Sequence, residues 1–273
     1  MWEQTINIRG KLVSLDTPKV MAIVNATPDS FAFSCTNISE AEVLSFAAKA
    51  LQEGADFVDI GGCSTRPGAA PVSAEEEWRR LDIALRAIRS SYPEVIVSVD
   101  TFRASIAKRA VEQYGADIIN DVSGGADPEM FGTMAELGVP YILTHSVASD
   151  TADTDRYVAE VIEWLVRKAD ELHRMGVKDV LLDPGYGFNK TEAQSYALLK
   201  HLADLKQIGL PVLVGLSRKS MFYKPLQTTP DSDIALAATT AAHTLALKNG
   251  ADILRVHDVA AAKAVIHVIE RTI

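Results

Sequence analysis

Residues 95–121 read Val-Ile-Val-Ser-Val-Asp-Thr-Phe-Arg-Ala-Ser-Ile-Ala-Lys-Arg-Ala-Val-Glu-Gln-Tyr-Gly-Ala-Asp-Ile-Ile-Asn-Asp. An apolar run, Val95 to Val99, stops at Asp100-Thr101. An amphipathic stretch, 103–114, follows and ends before Gly115, the residue type that most readily closes a helix in the left-handed region. A second apolar run, Asp117 to Ile119, then stops at Asn120-Asp121. This is a strand–helix–strand unit whose polar residues lie at the strand ends.

The same beat runs along the chain in both directions. Apolar runs stop at Asn25, Gly61-Gly62, Thr144-His145, Asp183-Pro184, Ser217-Arg218-Lys219 and Arg255-Val256-His257-Asp258. The pattern predicts strands at 20–24, 57–60, 139–143, 180–182, 211–214 and 253–254. It predicts helices at 39–53, from Ser73 to about Ser90, and at 127–137, 154–174, 191–207, 231–248 and 258–271. Eight alternations predict an α/β fold, a (β/α)8 TIM barrel, with all eight strand ends at one mouth. An open doubly wound sheet would gather its polar residues at one switch point instead. Residues 5–15 alternate around Gly10-Lys11 and predict a hairpin able to plug the barrel bottom. The expected organisation is one domain, 1–273, with residues 1–19 as its hairpin extension.

Bulk composition narrows the function. The net charge of −9 disfavours nucleic acid, which is bound mainly by neutralising phosphates. No apolar run approaches the ~20 residues of a membrane span. Two cysteines, Cys35 and Cys63, make no disulfide framework, and Met1 to Thr5 lacks a signal-peptide pattern, so a cytoplasmic location is expected. Anion binding would need a local cationic pocket, for which Arg66, Lys219, Arg218 and Arg255 are candidates.

The chemistry is expected in the loops after the strands. Arg66 lies within Gly61-Gly-Cys-Ser-Thr-Arg-Pro-Gly68, where a guanidinium can grip phosphate or carboxylate in a bidentate manner. Asp100 and Asp183 follow apolar strands directly. Asp100 could instead cap the next helix, whereas Pro184-Gly185 makes capping less natural for Asp183. Two carboxylates in a barrel mouth, with Asn120 beside them, suit a heterocycle with adjacent N–H donors. Of Arg218 and Lys219 at most one points inward. Arg255 and His257, two apart, share a face on an extended segment. His145 reads as a satisfied core or rim residue, and Gly124-Gly125 as a turn.

Seven stretches together resemble the dihydropteroate synthase family of folate-pathway enzymes. They are 21–31 (MAIVNATPDSF), 61–68 (GGCSTRPG), 98–101 (SVDT), 119–125 (INDVSGG), 183–190 (DPGYGFNK), 214–220 (VGLSRKS) and 255–259 (RVHDV). The resemblance implies the barrel already inferred. It implies a transferase that joins 6-hydroxymethyl-7,8-dihydropterin diphosphate to p-aminobenzoate and releases pyrophosphate with Mg2+. By the same resemblance Asp100, Asn120, Asp183 and Lys219 line the pterin pocket. Asn25 binds Mg2+. Arg255, His257 and Arg66 meet the pyrophosphate. Thr65, Pro67, Phe188 and Ser220 shape the p-aminobenzoate site. Arg66, Asp100, Lys219 and Arg255 are the expected catalytic set, and a homodimer through late helices is implied. Alternative readings are a methyltetrahydrofolate-dependent corrinoid methyltransferase and a non-catalytic pterin-binding paralogue. The chain departs from the family at Ala32-Phe33-Ser34-Cys35, where an Asp and a Gly-Gly pair are usual. It departs again at Leu143-Thr144-His145-Ser146, where Leu-Met-His-Met is usual, and at Cys63.

Overall fold

The computed structural model describes residues 4–26, 39–63 and 72–272. Strands β1 (Thr5–Ile8) and β2 (Lys11–Ser14) form an antiparallel hairpin. Then follow β3 (Lys19–Asn25), α1 (Glu40–Gln52), β4 (Phe57–Gly61), α2 (Ala74–Ser91), β5 (Ile96–Asp100), α3 (Ala104–Tyr114) and β6 (Ile118–Asp121). The second half holds α4 (Met130–Leu137), β7 (Tyr141–Thr144), α5 (Thr154–Met175), β8 (Val180–Asp183), α6 (Glu192–Lys200), α7 (Leu202–Lys206) and β9 (Leu213–Val214). It ends with α8 (Ser220–Tyr223), α9 (Asp233–Lys248), β10 (Ile253–Val256) and α10 (Val259–Ile269). The sheet order β8-β7-β6-β5-β4-β3-β10-β9 is parallel throughout, and a parallel bridge between Leu182 and Val212 brings β8 to β9. The eight-stranded α/β barrel is the one the sequence predicts.

Helix starts follow the expected caps. Ser39 forms a capping box with Glu42 at α1, and the Ser73 hydroxyl accepts from the Glu76 amide at α2. Several expectations need correction. The hairpin turn is Arg9-Gly10, one residue earlier than expected, with φ of 51° and 79°. Two positive φ values are what a two-residue turn needs to match strand twist. The helix expected at 191–207 breaks at His201, which ends α6 and begins α7. The helix expected from 127 starts at Met130, and α8 was not foreseen.

The pleat sorts the strands into two cores. Val20, Val58, Val97, Val99, Ile119, Tyr141, Leu143, Leu182, Val214 and Leu254 face outward and pack with the helices. Met21, Phe57, Ile118, Ile142, Leu181, Leu213 and Ile253 face inward and meet Ile6, Ile8 and Leu15 of the hairpin region. The hairpin therefore closes the bottom of the barrel with hydrocarbon.

That lower rim is fastened by a repeated device. Three of the chain's four Gly-Ala-Asp triplets, at 54–56, 115–117 and 250–252, stand just before a strand. The three carboxylates accept the N–H groups of Val20, Val97 and Val212, at the start of the neighbouring strand. Each also pairs with a cation: Asp56 with Lys263, Asp117 with Arg9 and Arg89, and Asp252 with Lys206. Arg9 adds bonds to the carbonyls of Pro93 and Val95, so Asp117 ties the plug to the barrel. Asp117→Ala strands the buried Val97 amide and unpairs Arg89. A loss of about 3 kcal/mol is expected, read as a fall in Tm of roughly 6–12 °C.

His243 in α9 is buried, and its Nε2 has no hydrogen-bond partner among the described residues. Burial lowers its pKa from 6.5 to about 4, with Asp258 opposing. Because the folded pKa is depressed, the unfolded chain takes up the proton first. This stability is complete above pH 6.5 and is lost as pH falls towards 4. Denaturant titrations should show His243→Gln losing less stability than the parent over that window, by about 3 kcal/mol.

Candidate active site

Two residues above the apolar inner layer, the same strands turn polar. Phe57 gives way to Asp59, Ile118 to Asn120, Leu181 to Asp183 and Ile253 to Arg255. Arg255 Nε donates to Asp59 Oδ2 at 2.6 Å, and its Nη2 donates to Asp100 Oδ2 at 2.6 Å. Asn120 Nδ2 donates to the same Asp59 Oδ2 at 3.1 Å. Asp59 Oδ1 and Asn120 Oδ1 remain buried without a partner among the described residues. Asp183 Oδ1 accepts the Gly185 amide at 2.7 Å.

The electrostatics follow from burial. Burial pushes the Asp100 carboxyl above the usual carboxylate range; Arg255 opposes this, and Asp59 adds to it. Burial also raises Asp183, with the Gly185 N–H and then Lys219 opposing. The Arg255 guanidinium is held charged by Asp59 and Asp100 against its own desolvation. The pocket therefore presents carboxylate and amide oxygens on one side and a guanidinium between them, in a setting where an unmet hydrogen bond is costly.

The β8 and β9 ends complete the rim. Gly185 has φ of +72°, and a Cβ there would stand 2.1 Å from the His145 carbonyl oxygen, so the turn can pass only as glycine. That turn delivers Phe188, whose ring lies 4.3 Å from Lys219 Nζ. Lys219 and Ser220 line a cleft with Gly187, Lys190, Ser195 and Met221. Lys190 Nζ donates to the carbonyls of His145 and Phe188 at 2.7 and 3.2 Å, and burial lowers its pKa to about 7. The Ser217 hydroxyl meets both the backbone N–H and the Nδ1 of His257.

The structure thus gathers Asp100, Asn120, Asp183 and Arg255 inside the mouth and sets Lys219, Phe188, Ser220 and His257 around it. Asp100 is no helix cap: the first amide of α3, Ala104, is met by Asp127. Arg218 leaves the proposed cationic pocket. Its Nε and Nη2 grip Asp258 at 2.7 Å each, and Nη1 donates to the Pro230 carbonyl. Arg255 is held in the mouth by the carboxylates of Asp59 and Asp100. His145 is buried as expected, stacked edge-on to Trp164 at 5.0 Å with its pKa lowered to about 3 by burial, but it is not satisfied: among the described residues its Nδ1 has no hydrogen-bond partner. Cys63 is half-buried, and burial raises its thiol pKa.

Asp59 was missed by the sequence reading. The available signal was a carboxylate in the middle of an apolar strand, in phase with Gly61. Lys190 lay in a quoted motif without a role. Thr65, Arg66, Pro67 and the departure at 32–35 lie outside the described residues, as does the side chain of Asn25, whose backbone pairs with Gly61 at the mouth.

The pterin binding enzyme family model matches residues 21–257. The dihydropteroate synthase of Escherichia coli K12 is 36% identical over 272 residues, covering 97% of this chain and 95% of that protein. The Xanthomonas albilineans dihydropteroate synthase with 4-aminobenzoic acid superposes with a TM-score of 0.90 at 39% identity, over 99% of this chain and 98% of that one. The same enzyme in complex with 7,8-dihydropteroate gives 0.86 at 36% identity, over 98% of each chain. A shared barrel alone would say little about chemistry, but identity at this level along the whole chain, around this pocket, places the protein in the dihydropteroate synthase family of pterin-binding enzymes.

Proposed function

We propose that this barrel joins 6-hydroxymethyl-7,8-dihydropterin diphosphate to p-aminobenzoate, giving 7,8-dihydropteroate and pyrophosphate. The observation that carries the reading is the acceptor-rich pocket. Asn120 Oδ1 is buried and unmet among the described residues, and Asp183 keeps one oxygen beyond its bond to Gly185. A reduced pterin offers a matching row of N–H donors on its amino-pyrimidine edge. Such an edge pays little to enter because it satisfies groups already desolvated.

The arylamine is a neutral nucleophile and needs no strong base. Its nitrogen bonds to the pterin methylene carbon as the C–O bond breaks. The bonding pair leaves with the diphosphate, and the ammonium proton passes to solvent. The main barrier is the leaving charge, so fixed cations aimed at it lower the barrier. Arg255, His257 and Arg66 take that role. Lys219 meets the pterin carbonyl, while Thr65, Pro67, Phe188 and Ser220 shape the aminobenzoate side.

Among the described residues no three His, Cys, Asp or Glu groups converge to cage an ion. That suits Mg2+, which keeps water and is commonly held by substrate phosphates with one or two protein oxygens. Asn25, closing β3, would supply one such oxygen, and the ion would neutralise charge on the diphosphate. The whole-chain likeness to dihydropteroate synthases favours this reading over a corrinoid methyltransferase. Among the described residues no helix is long and apolar enough to cross a membrane. We place the reaction in the cytoplasm.

Pyrophosphate release from the pterin diphosphate, measured with and without p-aminobenzoate, tests the reading. Release that depends on p-aminobenzoate is expected; tight pterin binding without release would instead mark a non-catalytic paralogue. Arg66→Ala and Lys219→Ala should each lower turnover at least roughly tenfold, about 1.4 kcal/mol of barrier. Unchanged rates in both would overturn the site.

We also infer a homodimer through α9 and α10, which pack side by side. Ile234, Leu245 and Val268 are 54%, 53% and 55% exposed there. The exposed Ala237, Ala241, Ala260 and Ala264 extend the apolar stripe across both helices. Sedimentation should show a dimer for the parent and a monomer for Leu245→Glu with Val268→Glu; a monomeric parent would sink the inference.

A further inference from the structure

Asp59 holds no place in the reaction just described, yet it lies between the groups assigned to the two halves of the pterin substrate. It is fully buried, two residues above Phe57 of the apolar inner layer. Its Oδ2 accepts two bonds: Arg255 Nε from β10 at 2.6 Å and Asn120 Nδ2 from β6 at 3.1 Å. A carboxylate oxygen offers about two lone-pair sites, so that atom is fully used. The bond to Nδ2 also settles which way the Asn120 amide faces. Its Oδ1 turns away from Asp59 and stays buried without a partner among the described residues, ready for a donor.

We propose that Asp59 is a positioning residue that couples the pterin-gripping amide of Asn120 to the diphosphate-binding guanidinium of Arg255. This rests on the proposed function of the pocket. The coupling works through one shared oxygen in a buried network, where neighbouring bonds polarise one another. An anion drawing on the guanidinium weakens the Nε–H to Oδ2 bond and leaves Oδ2 a better acceptor for Asn120. An N–H donor bound at Asn120 Oδ1 makes Nδ2–H a better donor to Oδ2, which loosens Oδ2 from Arg255 and frees the guanidinium for an anion. Each half of the substrate therefore tightens the other, by the same factor in both directions. Asp100, which meets only Nη2 of Arg255, steadies the guanidinium without reaching the amide.

The test uses two probes in Mg2+ buffer: inorganic pyrophosphate, and 6-hydroxymethyl-7,8-dihydropterin without its diphosphate. Calorimetry measures each alone and in the presence of the other. In the parent chain each probe should tighten the other by about threefold or more. Asp59→Asn, close to isosteric, should abolish that mutual effect and, by relieving the guanidinium of a competing carboxylate, tighten pyrophosphate binding by roughly threefold or more. Asn120→Ser removes the other arm and, with the pterin raised until it saturates the weakened site, should also abolish the coupling, while pyrophosphate affinity stays within about twofold of the parent. A merely structural role would lower Tm without moving the coupling. Coupling that is absent in the parent, or that survives in a folded Asp59→Asn or in Asn120→Ser, would overturn the proposal. Should Asp59→Asn fail to fold, Asn120→Ser decides alone. A parent chain that binds neither probe would instead overturn the reading of the pocket, and the proposal with it.

Discussion

The barrel interior passes from hydrocarbon to charge within one two-residue step of the pleat, a rise of roughly 6.6 Å. Below the step, Phe57, Ile118, Leu181 and Ile253 pack against the hairpin region in a dry layer. Above it, the same strands carry Asp59, Asn120, Asp183 and Arg255. Neither layer would serve without the other. The dry layer supplies the desolvation that raises Asp100 and Asp183 and makes each unmet oxygen selective. The polar layer can be buried only because Arg255, Asp59, Asp100 and Asn120 satisfy much of one another. The Asp117 clamp, which seats the plug through Arg9, therefore protects the site from the opposite end of the barrel.

Strand parity made much of this legible in the sequence. Alternation of strand and helix with polar strand ends identified the barrel. Asp100 and Asp183 stood out because a carboxylate directly after an apolar strand needs a partner. The partners themselves were not legible. Arg255 and Asp59 are 196 residues apart, and no local pattern announces that they meet. Asp59 was hidden for a related reason, because it sits inside a strand rather than at its end. Arg218 shows the reverse case. Its neighbour Lys219 and the serines around it suggested an anion site, but Asp258, 40 residues away, claims its guanidinium. Helix ends were readable where a side-chain cap or a glycine closed them. The break at His201 was not, since it comes from packing and from the ring's contact with Asp204 at 2.9 Å.

An acidic chain of net charge −9 that handles a diphosphate must place its positive charge with care. It does so by pairing. Arg255 carries two carboxylates, so an incoming anion competes with groups already holding the guanidinium rather than meeting a bare cation. Such a site discriminates: a ligand gains fully only if its other end also satisfies the oxygen that Asn120 leaves unmet among the described residues. On the proposed function, pterin and diphosphate carried on one molecule would meet that demand, and free phosphate would not. The same logic accounts for the burial of the cluster, since screening by water would remove the penalty on which discrimination depends.

The β7 end, where the chain departs from its family at Thr144 and Ser146, serves this pocket through its backbone. The His145 carbonyl accepts Lys190 Nζ, and its oxygen stands where a Cβ on residue 185 would be. That one carbonyl therefore braces the turn from Asp183 to Lys190 at both ends. The brace holds the Gly185 N–H against Asp183 and sets Phe188 beneath Lys219. The imidazole of His145 points its contacts elsewhere, to Trp164 and Tyr157. Side-chain identity at 144 and 146 can drift without moving that carbonyl, because the backbone is fixed by the strand, where the His145 amide donates to the Asp183 carbonyl. The departure thus falls where the pocket depends on main-chain geometry, and Asp183, Phe188 and Lys219, whose side chains gather there, lie within stretches that resemble the family's motifs.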